Sequence, residues 1–210
     1  MKRSNWQDGD VAARLLPTLA DFDGGWRAVG ADVNDSGGSM GGELERFLAG
    51  RVSEREVVAV ADSAVFVRSP ARLAYAVAAV LATDRAGADA FELVASEEFA
   101  CHFAEGVAAG AVVAPGAAEL LGSTNRPIEL SELVVPGVEA AANRTTFAGA
   151  SAEGVLPVHV DLVVLHSGPR LLMVWLADAP DPFPEVDRAH LLTRQGRRLR
   201  RASMEQPPLA

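Results

Sequence analysis

The sequence predicts an α+β fold, an antiparallel sheet of about five strands with helices packed on one face. Three observations lead there. Residues 155–177 form two apolar runs rich in Val and Leu, broken by His166-Ser167-Gly168-Pro169, which is the pattern of a β-hairpin. Turn residues separate further strand candidates, so that 127–135, 138–148, 155–166 and 170–177 read as a four-strand meander. Helical spacings precede the meander and follow it, and the segregation of helices from strands favours one sheet over alternating β-α-β units.

Taken in order, Val11, Leu15 and Leu16 suggest a short helix stopped by Pro17, and Gly24-Gly25 a turn before Trp26. Residues 31–42 are small and polar and read as a flexible loop; 43–48 read as one or two helical turns ending at Gly50. Residues 56–67 are strand-like. Ser69-Pro70 then has the form of an N-cap followed by proline at the first helical position. Leu73, Val77, Val80 and Leu81 after it fall at helical spacing, predicting a helix. Residues 84–95 read as mixed helix and loop. Ser96 is a second N-cap candidate, with Phe99, Phe103 and Val107 repeating every four residues. Asp181-Pro182-Phe183-Pro184 ends the sheet, and a last helix spans about 184–201 with an apolar stripe of Ala189, Leu192, Gly196 and Leu199. Residues 1–210 are expected to make a single domain, with tails at 1–10 and 202–210.

Composition excludes several classes. At 49% hydrophobic and 22% charged residues the chain is globular and not disordered. A net charge of −9 argues against a general binder of nucleic acid or anionic membranes, which attract phosphate with a basic surface. No stretch approaches the ~20 apolar residues of a membrane helix. Cys101 is the only cysteine, so an intramolecular disulfide is impossible. The basic residues near Met1 are followed by no apolar segment, so no signal peptide is expected and the chain reads as cytoplasmic as written.

Three segments together carry a family resemblance: Leu15-Leu16-Pro17-Thr18-Leu19-Ala20-Asp21-Phe22-Asp23-Gly24-Gly25-Trp26, the single-cysteine segment 96–107, and Asp161-Leu162-Val163-Val164-Leu165-His166-Ser167-Gly168 before an arginine-ending helix. The chain resembles the actinobacterial sensor-type domains of cell-envelope lipoproteins and of the extracellular part of the kinase PknH, over most of residues 11–201. The resemblance implies a PsbP-like α/β fold, ligand or partner binding without catalysis, and a cell-envelope location. The family's paired cysteines are reduced here to Cys101, and its signal peptide or lipidated cysteine has no counterpart.

Each candidate site has a plainer competitor. Gly37-Gly38-Ser39-Met40-Gly41 matches the G-x-S-x-G nucleophile elbow, but polar residues precede it where that chemistry needs a buried strand. His159 and His166 are seven positions apart on one ribbon and point to opposite faces. His159 and Asp161 share a face and are able to hold a metal or a polar ligand, though no third ligand is visible; a sheet histidine bonded to a carboxylate is the plainer reading. Cys101 lies between Glu97 and Glu105 at helical spacing, which disfavours a thiolate. Residues 194–201 carry five arginines, and Arg200-Arg201-Ala202-Ser203 fits a basophilic kinase, making Ser203 a modification candidate; cations at a helix C-terminus also serve its macrodipole. Asn143-Arg144-Thr145 is a glycosylation sequon placed within a strand.

The leading expectation is a non-catalytic, sensor-like or partner-binding domain, with no catalytic residues, no metal and no cofactor. Its partner is a protein or small ligand, with candidate ligand-binding residues Asp62, His159, Asp161 and Trp175. One alternative is a cone-shaped, nuclear-transport-factor-like fold enclosing a pocket lined by Asp62, His159 and Trp175. Another is a secretion-associated or chaperone-like interaction protein acting through the sheet or the basic terminal helix.

Overall fold

The computed structural model describes residues 6–29, 44, 47–48, 51, 56–69, 72–100, 119–130, 133, 135–151 and 154–205. The elements are α1 (Trp6–Leu15), a 3-10 turn (Leu19–Asp21), β1 (Arg27–Val29), β2 (Val57–Asp62), β3 (Val65–Val67), β4 (Leu73–Leu81), α2 (Asp84–Val94), β5 (Glu119–Pro127), β6 (Glu139–Ser151), β7 (Gly154–Ser167), β8 (Arg170–Asp178) and α3 (Glu185–Glu205). The strands form one eight-stranded sheet in the order β1-β3-β4-β8-β7-β6-β5, with β2 also paired to β4. Every pairing is antiparallel. The loop 31–42, the Gly37–Gly41 motif, Cys101, His102, Phe103 and Val107 lie outside the described residues.

The hairpin at 155–177 is the middle of this sheet. Its strands pair from His159↔Asp178 to Ser167↔Arg170, and Gly168 turns the chain at φ +57°. β8 lies between β7 and β4, and all of its residues are buried. A strand with both neighbours filled and apolar side chains of both parities needs cover on both faces.

That requirement corrects the expectation of helices on one face. On one side Val158, Val160, Leu162, Val164, Leu171, Met173 and Trp175 pack against Ala86, Ala90 and Val94 of α2, with Leu44, Phe47, Leu48 and Phe99. On the other, Val163, Leu165, Leu172, Val174 and Leu176 pack against Leu15 and Leu16 around α1 and against Leu191, Leu192 and Leu199 of α3. Each fully buried leucine contributes roughly 1.5–3 kcal/mol, so neither layer is dispensable.

The sheet also has more strands than expected. Residues 73–81, expected as a helix, are the central strand β4, bonded to β8 from Leu73↔Ala177 to Val80↔Arg170. Ser69 caps a turn there and no helix: its Oγ accepts the Arg72 N–H at 3.1 Å between β3 and β4. The strand expected at 56–67 is broken at Ser63, whose N–H donates to the Ala76 carbonyl and whose Oγ accepts the Ala76 N–H, both at 2.9 Å. The strand expected at 127–135 lies upstream instead, as β5, an edge strand whose described side chains are mostly exposed. Residues 84–94 form a regular helix, opened by Thr83, whose Oγ1 accepts the Ala86 N–H at 3.1 Å. The helix α3 continues to Glu205, so 202–205 are helical and not tail.

One glycine fixes how α2 meets the sheet. A Cβ on Gly87 would lie 2.2 Å from the Gly168 carbonyl oxygen and 3.1 Å from His166 Nε2. Only hydrogen at this position lets the helix rest on the β7–β8 turn. Phe91, one turn on, then stacks on His166 with ring centroids 5.4 Å apart.

Candidate functional site

The alternation of side chains along strands decides which candidates can meet. Asp161 and Leu176 face each other on the α1/α3 side, and Leu162 and Trp175 on the α2 side. Asp62 pairs with Val77, which belongs to the α2 side. Asp62 and Trp175 are therefore on one face, and His159 and Asp161 on the other. The structure does not bring the four together, and a pocket shared by Asp62, His159 and Trp175 would have to pass through the sheet.

Asp161 is fully buried and already occupied. Arg144, directly across on β6, donates through Nε to Oδ1 at 2.5 Å and through Nη2 to Oδ2 at 2.7 Å. Arg188 of α3 donates through Nη1 to Oδ2 at 3.1 Å. Both guanidinium groups are themselves buried, and bonding to Asp161 raises the pKa of Arg144 against the opposing effect of burial. A fork-to-fork pair of this kind is the strongest polar contact a side chain makes. It ties β6 and β7 to α3 and leaves the carboxylate no access to a substrate.

His159 is occupied too. Its Nε2 lies 3.0 Å from the Pro180 carbonyl, an acceptor only, so Nε2 donates to it, and Nδ1 is hydrogen-bonded to the Thr146 hydroxyl at 3.0 Å. Nearby, Arg72 Nε donates to Asp178 Oδ2 at 2.5 Å, and Arg68 and Arg72 reach Asp187 at 3.3 and 3.7 Å. On the opposite face the Tyr75 hydroxyl donates to Asp62 Oδ1, and Tyr75 contacts the Trp175 ring at 5.8 Å between centroids. Among the described residues no three His, Cys, Asp or Glu side chains gather to hold a metal ion. No described helix is long and apolar enough to cross a membrane.

The arginine-rich end of the chain divides in two. Arg194 donates to the Asp21 carbonyl at 2.9 Å. Arg198 donates to both oxygens of Asp21 at 2.8 Å and to the Leu16 carbonyl at 2.5 Å. For Asp21, burial alone pushes the carboxyl up, but the Thr18 N–H and Arg198 outweigh it and hold it below its ordinary value. These two arginines fasten α3 to the start of the chain. Ser203 turns its hydroxyl inward, donating to the Ser167 carbonyl at 2.7 Å with the Leu199 carbonyl at 3.1 Å.

Arg197, Arg200 and Arg201 do none of this. They are exposed, and no ion pair among the described residues includes them. With Val135, Pro136, Met204 and Glu205 they line an open groove of about 500 Å³. Gly196 sits beside it against Val135, where a Cβ would press to 3.2 Å from Val135 Cγ2. The loop carrying Val135 and Pro136 thus lies close along the helix. Met204, at 74% exposure, is the most exposed large hydrophobic residue described.

Sequence reasoning located the basic run of α3 but missed Arg144, Arg188, Arg72 and Asp178 as partners. One signal was present: Arg144 interrupts a strand as a charged residue between Asn143 and Thr145, and a buried strand tolerates a charge only opposite a counter-charge. No protein-family model matches the chain, and no curated protein and no solved structure matches it.

Proposed function

We propose that this protein is a non-catalytic partner-binding domain that engages its partner through the groove on α3. One observation carries the reading. The candidate polar groups Asp62, His159, Asp161 and Asp178 are bound to partners within the molecule, whereas Arg197, Arg200, Arg201 and Met204 stand open together along one groove. Methionine and arginine are enriched at protein interfaces, and an exposed methionine adapts its shape to what it meets. The sensor-like and PsbP-like readings belong to the same proposal. They rest on the resemblance of residues 15–26, 96–107 and 161–168, of which Leu15, Leu16 and Leu165 are core residues. The pocket-enclosing alternative loses its support with the division of Asp62 and His159 between the two faces.

A photo-reactive amino acid at position 204, compared with one at Val155, tests the proposal in cells of the natural host. Val155 is 66% exposed on β7, away from the groove residues, and serves as the control. The expected result is a discrete crosslinked protein from position 204 alone. No adduct at 204, or the same adducts from both positions, would refute a partner seated on α3.

A further inference from the structure

We infer that the partner segment recognised by the α3 groove is a short acidic peptide with an apolar residue between its carboxylates. The inference rests on the partner-binding reading above and assigns the chemistry of the partner.

The argument begins with helix geometry. Arg197, Arg200, Arg201 and Met204 fall at i, i+3, i+4 and i+7, so they stand on one face of α3 over two turns. The whole chain carries 28 acidic residues against 19 basic ones. Some exposed arginines find a carboxylate: Arg51 pairs with Glu98, Arg68 with Asp187 and Arg85 with Asp89. Others, such as Arg14, Arg27 and Arg126, stand singly without one among the described residues. What sets Arg197, Arg200 and Arg201 apart is that three stand together. Even Glu205, one turn beyond Arg201, makes no ion pair with it. Three adjacent guanidinium groups without counter-charge make a local positive field, and their fork geometry suits carboxylates.

The apolar part of the lining selects among anions. Val135 and Pro136 on the loop and Met204 at the end of the arginine face are apolar, so a small inorganic anion would leave them in water, whereas a leucine-sized side chain would cover them. The net charge of −9 repels duplex DNA and anionic bilayers, which present charge over a far wider area than three arginines neutralise. A short peptide presents its few charges to the groove alone.

The experiment measures the fluorescence anisotropy of a labelled peptide, Glu-Glu-Leu-Glu-Glu, against the whole protein. The expected result is saturable binding that weakens with added salt. It should fall about tenfold or more in R197A/R200A/R201A, three exposed pairs together accounting for a change of that size. Met204→Ser, or glycine in place of the peptide's leucine, should weaken it less. Arg85→Ala, at an exposed arginine on α2, should leave it unchanged. The single variant R200A, with an unchanged melting curve, guards against misfolding of the triple variant. Absence of binding, or binding insensitive to the triple substitution, overturns the inference. Tighter arginine-dependent binding to phosphatidylserine vesicles or duplex DNA would overturn it in favour of those partners. Self-association abolished by the triple substitution would overturn it in favour of a second copy. A crosslinked partner at position 204 without peptide binding would leave the partner-binding reading standing and remove the acidic assignment alone.

Discussion

Asp161→Asn removes one charge and almost no volume, which makes it the cleanest probe of how α3 is held to the sheet. In the native protein Asp161 accepts three guanidinium hydrogen bonds, at 2.5, 2.7 and 3.1 Å, while wholly buried. Charge-assisted bonds contribute about 1.5–3 kcal/mol each. The asparagine carbonyl still accepts from one donor, but its NH2 group meets a guanidinium donor where an acceptor stood. Two buried arginines then lose their buried counter-ion and keep only the exposed Glu185, 4.0 Å from Arg188; breaking a buried pair in this way costs about 3–5 kcal/mol. Set against a typical total of ~5–15 kcal/mol, that is a large fraction of the stability. For a chain of this length it lowers the melting temperature by roughly 6–20 °C. Urea denaturation followed by circular dichroism reads it directly. A loss below about 1 kcal/mol at an unchanged denaturant slope would refute the assignment of Asp161 as the structural counter-ion. Replacing the set together, as R144M/D161L/R188M, should be near neutral or stabilising by about 1–4 kcal/mol, because desolvation then disappears with the charges.

Three further outcomes follow from the packing. Gly87→Ala should destabilise by about 1–3 kcal/mol or more, since its Cβ would collide with the Gly168 carbonyl, and chemical denaturation will show whether α2 can shift instead. Leu172→Ala, at a site with no exposure on the α1/α3 side, should cost about 2–5 kcal/mol by the same measurement. Asp21 has a folded pKa below its unfolded value, so its contribution is complete above about pH 4 and is lost as pH falls through the folded value. Arg198→Met should make the stability of the protein fall less steeply on acidification, and a series of urea midpoints across that range tests it.

The hairpin at 155–177 was legible because its length, branched side chains and turn all agree. The strand β4 was not. Its residues Leu-Ala-Tyr-Ala-Val-Ala-Ala-Val-Leu are buried on both faces, so the polar–apolar alternation that betrays a strand is absent, and alanine favours helix. Ser69-Pro70 compounded the error, since a serine hydroxyl that caps a helix also closes a tight turn by the same hydrogen bond. β5 failed for the opposite reason: an edge strand of Gly122, Ser123, Thr124 and Asn125 has the composition of a loop. At the candidate site, the shared face of His159 and Asp161 followed from parity along one strand. Their occupants did not, because Arg144 and Arg188 reach Asp161 from 17 and 27 positions away.

The position of β4 beside β8 sets a timetable for assembly. Arg72 bonds Asp178 across 106 positions, and between those two residues lies the greater part of the sheet. A chain emerging from the ribosome can close β2 and β3 onto β4 early, since a few residues separate them. The far edge of β4 then remains open until β8 has been synthesised. Loops of that size close slowly, and an apolar edge waiting in solution invites pairing with another chain. The segment that completes the core thus appears long after β4 itself, and any truncation before Arg170 would strand β4 and β7 with exposed edges. Vulnerability to misassembly in this protein is concentrated in the interval before its C-terminal hairpin is complete.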